Sequence, residues 1–131
     1  MKKFIIILTV ITLTLLMFSC SSSAFDSIVS QLEESYWQSS SIYTDEQIDQ
    51  IEGSFGQFGL NITGEVQSIA HFVKPSYPES TWVYVYEFEN EADAKTFKES
   101  YADNWGNAII SGTIVVYGNN SEIISNIKLQ H

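Results

Sequence analysis

Thr81-Trp82-Val83-Tyr84-Val85-Tyr86-Glu87-Phe88, followed at once by Glu89-Asn90-Glu91-Ala92-Asp93-Ala94-Lys95-Thr96-Phe97, is the stretch that decides the fold. Trp82, Tyr84, Tyr86 and Phe88 occupy every second position, and Val83 and Val85 fill alternate ones. Side chains alternate across a strand with a period of two, so this run offers apolar groups to both faces of a sheet. A strand with one solvated face would place polar residues there, and the pattern therefore predicts an interior strand. Asn90 then supplies a side-chain cap, and Glu91 and Asp93 put negative charge in the first helical turn. With Ala94, Phe97 and Tyr101 on one stripe, a helix to about Ala102 is predicted.

The neighbouring elements follow from this centre. Lys74-Pro75-Ser76-Tyr77-Pro78 reads as a loop, so a strand from about Asn61 to Lys74 is predicted to pair with the Thr81–Phe88 strand as an antiparallel hairpin. Upstream, Thr44 and Gln47 have capping-box spacing, and Ile48, Ile51, Phe55 and Phe58 fall on one face of the helix they open. That helix is expected to stop between Gly53 and Gly59. An earlier helix from about Ser27 to Trp37 carries Ile28, Val29, Leu32 and Tyr36, and Ser39-Ser40-Ser41 ends it. A third strand is predicted from Ala108 to Tyr117, then a short helix from Ser121 with Ile123, Ile124 and Ile127 inward. The order is ααββαβα. It predicts an α+β domain: a small, mostly antiparallel three-stranded sheet with helices packed on one face, a reduced ferredoxin-like arrangement.

The chain opens with Met1-Lys2-Lys3 and then runs apolar from Phe4 to Phe18, interrupted by Thr9, Thr12 and Thr14. A short positive segment before a hydrophobic run of this length is the pattern of a secretory signal. Fifteen residues are short for a permanent span, which needs roughly 17–25. Met17-Phe18-Ser19-Cys20 resembles the lipobox of bacterial lipoproteins, with Ser19 as the small residue before the cysteine. That resemblance covers residues 1–20 alone. It implies cleavage before Cys20, lipidation of Cys20, and a membrane anchor on the extracytoplasmic side of a bacterial envelope. The expected division is a signal peptide over 1–19, a lipidated cysteine and polar tether over 20–25, and one α+β domain over 26–131. Ser22-Ser23-Ala24 also has the small-x-small form of an ordinary signal peptidase site, and cleavage after Ala24 would release a secreted domain.

Removing residues 1–19 leaves 112 of the 131 residues, enough for one domain with its own core. Cys20 is the single cysteine, so no disulfide forms within the chain. The net charge is −10, deepening to −12 once Lys2 and Lys3 leave with the signal. Lys74, Lys95, Lys98 and Lys128 are then the basic side chains, with no arginine. Nucleic acid is excluded as a partner, since phosphate recognition needs a basic surface. A cationic protein is the partner that this charge would steer inward.

Three patterns invite chemistry. Gly53-Ser54-Phe55-Gly56-Gln57-Phe58-Gly59 is glycine-rich, but it follows a helix and precedes a strand, the reverse of a dinucleotide-binding loop. His71 stands without nearby metal ligands and reads as a half-exposed strand histidine. Glu87, Glu89, Glu91 and Asp93 crowd a strand end and a helix start. Their first reading is a cap with favourable first-turn charge. A calcium site or a carboxylate-dependent hydrolytic site is the alternative. Without a Gly-x-Ser-x-Gly sequence or a paired base, Ser-His-Asp chemistry has no support, and no cofactor is implied. Tyr43, Tyr77 and Trp105 fall in predicted loops as candidate partner contacts. The functional expectation is a non-enzymatic, envelope-anchored binding module, of an inhibitor or immunity type acting on a cationic partner. A structural subunit of an envelope complex is the second reading.

Overall fold

The structure is a computed structural model that describes residues 23–34, 39–74 and 80–128. The proposed signal, the lipobox, Cys20, Tyr36, Trp37 and Tyr77 lie outside the described residues. Among those described, no helix is long and apolar enough to cross a membrane.

Helix α1 (Ser23–Glu34) is followed by strand β1 (Ser39–Ile42) and helix α2 (Asp45–Ser54), which tightens into a 3-10 turn over Phe55–Phe58. Strands β2 (Val66–Lys74) and β3 (Thr81–Phe88) form the predicted antiparallel hairpin. Helix α3 begins at Glu91, passes through a π turn over Lys98–Ala102, and ends with Asp103–Trp105. Strands β4 (Asn107–Ser111) and β5 (Ile114–Gly118) and helix α4 (Ser121–Asn126) complete the fold.

The sheet has five strands in the order β1-β2-β3-β5-β4, and every neighbouring pair is antiparallel. The α+β class and the interior position of β3 agree with the sequence. The three-stranded sheet does not, for two reasons. Ser39–Ile42, expected as a helix breaker, pairs with Ala70–Val73 as an edge strand. The single predicted strand over 108–117 is a hairpin, turned at Gly112-Thr113 with Gly112 at φ +57°. Glycine adopts that left-handed backbone without steric penalty, and the apolar run on either side hid the turn. A ferredoxin-like arrangement also fails, because it packs its helices on one face of the sheet, whereas this five-stranded sheet is covered on both.

Helices cover both faces of the sheet rather than one. Ile48, Phe55, Ala94, Phe97 and Ala102 pack with Val66, Ile69, Tyr86, Phe88, Val115 and Tyr117 on one side. Phe25, Ile28, Val29, Leu32 and Ile124 pack with Ala70, Phe72, Val83, Val85 and Val116 on the other. The cause is the composition of β3 and β5, which are apolar at odd and even positions alike, so each face needs its own cover. Helix α1 starts earlier than expected and buries Phe25. Gln31 exchanges two hydrogen bonds with the Lys128 backbone at 2.9 and 3.0 Å, fastening α1 to the segment after α4.

Two caps formed where the sequence placed them: Thr44 and Gln47 make the capping box, and Asn90 accepts from the Asp93 N–H. A third, Asn120, accepts from the Ile123 N–H. Gly59, at φ +72°, closes the 3-10 turn after α2. Strand β2 begins five residues later than predicted. The Asn61–Glu65 segment sends its Thr63 and Gly64 N–H groups to Asp93 and its Glu65 N–H to Glu89, instead of to a ladder. A bulge between Val66 and Ser68 then brings Val66 and Ile69, three residues apart, onto the same face.

Candidate functional site: an aromatic groove on one face of the sheet

The Trp82 end of the sheet is less fully covered than the Phe88 end, where Phe97 stacks on Tyr86 with ring centroids 4.5 Å apart. There a surface-open groove of about 380 Å³ is lined by His71, Val73, Ser80, Trp82, Tyr84, Tyr101, Trp105 and Tyr117. Its floor follows from strand register. His71 of β2 pairs with Tyr84 of β3, and Tyr84 pairs with Tyr117 of β5. The His71 and Tyr84 rings stack at 4.1 Å and 7°, and those of Tyr84 and Tyr117 at 5.4 Å and 16°. Three rings on three adjacent strands thus form one continuous stack with Tyr84 in the middle, cross-strand neighbours supporting each other. Trp82 stands edge-on to both tyrosines, each 5.8 Å away.

Helix α3 builds the wall. Phe97, Tyr101 and Trp105 succeed each other at ring separations of 5.2 and 6.0 Å. In a regular α-helix, residues four apart drift by about 40° per step, which would carry the third ring off the stripe. The π turn corrects this: the Asp103 N–H bonds to the Lys98 carbonyl five residues back. Widened turns of this kind are frequent at functional sites. The groove end of the helix is fixed by close backbone approach. A Cβ on Gly106 would collide with the Gly118 carbonyl, and one on Gly118 with the Trp82 carbonyl.

The polar equipment of the groove is a set of phenols and one imidazole. Burial raises the Tyr84 hydroxyl to about 12, helped by the neighbouring Tyr43 hydroxyl, to which it is hydrogen-bonded. Burial also raises Tyr101, Tyr86 and Tyr117, and the last two share a hydrogen bond. All remain protonated at neutral pH. Burial lowers His71, which keeps its imidazole uncharged. None of the lining residues carries a formal charge under those conditions.

The sequence-predicted contacts divide. Trp105 is 60 % exposed and lines the groove, although it sits in the last helical turn rather than in a loop. Tyr43 is half-buried, packed against the core and bonded to Tyr84, so it braces a groove residue rather than lining the groove. Tyr77 is outside the described residues. The rest of the lining was missed because Trp82, Tyr84 and Tyr101 read as core stripes. The signal available was an excess of polar-tipped rings on one strand face, larger than the following helix could roof.

The acidic residues do not converge. Glu87 points to the opposite face, where burial, opposed by a Ser68 hydrogen bond and reinforced by Asp26, raises its carboxyl. Glu89 holds the Glu65 N–H at 2.9 Å, and Glu91 is exposed. Asp93 is 2 % exposed and fully engaged. Its Oδ1 accepts from the Thr63 N–H and hydroxyl, and its Oδ2 from the Gly64 N–H and the Asn90 amide. Burial works against its charge, but these donors prevail and hold the carboxyl below its usual range. Such an arrangement clamps a loop and leaves little coordination capacity for calcium. Among the described residues, no three His, Cys, Asp or Glu side chains are grouped to hold a metal ion.

A separate polar hollow of about 320 Å³ lies on the same side of the sheet, lined by Asp45, Asp49, Glu52 and Glu65 beside Ile48 and Val66. Burial and the like charges of Asp49 and Glu65 raise Glu52, against a lowering hydrogen bond from Val66. The hollow and the groove touch opposite ends of β2, roughly 20 Å apart at the usual rise per strand residue. Compared with known proteins, the chain matches no family, no curated sequence and no solved structure.

Proposed function

We propose that this protein is a non-enzymatic binding module of a bacterial envelope, anchored through a lipid on Cys20, whose aromatic groove contacts a cationic protein. The observation that carries the reading is the open groove: eight lining residues, five of them Trp or Tyr, with Trp105 60 % exposed at its wall. Large exposed aromatic surfaces are energetically expensive in a protein without a partner, and aromatic side chains dominate binding hot spots. Charge selects the partner. The sequence has 16 acidic residues against six lysines, and four carboxylates line the hollow on the same side as the groove. An inhibitor or immunity-type protein acting on a basic enzyme or toxin would use a surface of this kind. Cleavage before Cys20 suits the fold, because it keeps every described residue of α1, whereas cleavage after Ala24 removes two of them.

A photo-crosslinking residue at position 105, introduced into the full chain in the bacterium that encodes it, tests the contact directly. One basic polypeptide should be trapped from position 105 and not from Glu34, which is exposed on the other layer. Absence of an adduct at 105, or identical adducts from both positions, overturns the reading. An acidic adduct at 105 would retain the groove as an interface and reject the charge argument.

A further inference from the structure

We infer that the aromatic groove is a receptor for an arginine side chain presented by the partner. This inference rests on the proposed binding role of the groove and specifies its chemistry. Tyr84 is stacked between His71 and Tyr117, so that row turns ring edges and polar tips to the groove, while Trp82 stands at an angle to it and Trp105, 60 % exposed, offers an open ring face. The π faces of Trp and Tyr are negative and attract a cation within about 6 Å of the ring centroid. Among the described residues no lysine lines the groove, and the sequence has no arginine, so an anionic ligand would find no counter-charge in that lining. A net charge of −10 further disfavours anions and raises the local concentration of cations.

Arginine fits better than lysine for three reasons. Its guanidinium is planar and stacks on an aromatic platform, whereas ammonium is compact and strongly hydrated. Its five N–H donors need several acceptors around one plane. The groove supplies the phenol oxygen of Tyr101 and the hydroxyl of Ser80, with the Tyr84 oxygen, already bonded to Tyr43, beside them. His71 contributes an acceptor nitrogen because burial keeps its ring neutral. A guanidinium placed there donates to neutral oxygens and one nitrogen while its faces contact rings. The acidic hollow at the other end of β2 then provides a second, exposed contact for the same basic surface.

The test uses the full chain in mild detergent and two uncharged-terminus probes, acetyl-Gly-Arg-Gly-amide and the same peptide with citrulline. Citrulline keeps the planar shape and lacks the charge. Indole N–H resonances of Trp82 and Trp105, assigned by substitution, report occupancy. The arginine peptide should shift both signals and bind roughly tenfold tighter than the citrulline peptide, with the lysine analogue between them. Trp105→Ala should weaken the arginine peptide by about fivefold while Trp105→Phe restores part of the loss. Equal affinity for arginine and citrulline peptides overturns the inference. So does the absence of any shift with the arginine peptide. The position-105 crosslink then separates the two levels: a trapped basic protein keeps the groove as an interface without an arginine receptor, and no adduct removes both.

Discussion

His71 and Tyr84 face each other across the β2–β3 ladder, with their rings 4.1 Å apart and 7° from parallel. The stack needs no charge on the imidazole, and burial lowers the His71 pKa below its ordinary value. A group whose protonation is disfavoured by folding loses nothing at high pH, where both states are neutral. As pH falls below about 6.5, the unfolded chain takes up the proton first and the folded state is penalised. Unfolding by urea should therefore show stability declining between pH 7 and pH 5. His71→Phe keeps a stacked ring and should flatten that decline. An identical pH profile for the variant would remove His71 as its source.

Asp93 should be the most sensitive polar residue in the fold. Its carboxylate satisfies donors from Thr63, Gly64 and Asn90, and it is almost fully buried. Asp93→Ala leaves the two loop N–H groups without that acceptor and should cost about 2–4 kcal/mol in urea denaturation. Because the folded carboxyl lies below its ordinary 3.8, its contribution is present above that pH and is lost as pH falls further. Asp93→Asn should abolish this acid-sensitive part and retain some of the packing.

Glu87 predicts the opposite sign. Burial beside α1 raises its carboxyl, with Asp26 adding to the effect and Ser68 opposing it. The charged form is therefore a burden at neutral pH, relieved as pH falls through the raised value. Glu87→Gln should raise the thermal midpoint at pH 7 by about 1–3 °C, and the advantage should vanish near pH 4. A lower midpoint at pH 7 would show that the Ser68 hydrogen bond outweighs burial.

Legibility in the sequence tracked how locally each feature is determined. The capping box at Thr44 and Gln47, the cap at Asn90, and strand Thr81–Phe88 all depend on residues within three or four positions. Ser39–Ile42 has little strand character of its own, and it pairs because β2 offers a neighbouring edge. The Asn61–Glu65 loop was likewise unreadable, since the carboxylates that hold it are 24 to 30 residues away. Trp105 is exposed, although in a helical turn rather than the predicted loop. The groove around it could not be read, because the His71-Tyr84-Tyr117 row exists only through the register of three strands.

Gly106 tests whether that row and the helix wall are mechanically coupled. A Cβ there meets the Gly118 carbonyl and approaches Trp82 Cη2 to 3.5 Å. Both contacts are at the groove, and backbone atoms have little room to retreat. Gly106→Ala should cost about 1–3 kcal/mol and shift the Trp82 and Trp105 indole signals together. Phe88 and the Asp93 clamp, at the other end of β3, should keep their amide signals. If the Trp signals stay fixed while stability falls, the close approach supports the fold without positioning the wall.

Cys20 links the fold to its proposed location. Lipidation before α1 would hold the domain at a membrane without altering a core residue, since the described core begins at Phe25. Intact-mass analysis of the mature protein should show acyl chains on Cys20, and Cys20→Ala should release the protein from the membrane fraction with its thermal midpoint unchanged. A free N-terminus at Phe25 would instead identify a secreted form. That form would lose Ser23 and Ala24 from α1 and place a charged amine on a residue that is 6 % exposed. Placing charge beside a buried ring carries a desolvation cost, so such a form should be less stable than the lipidated one. A stable secreted form starting at Phe25 would overturn both the anchor and the argument that the described residues of α1 must be kept.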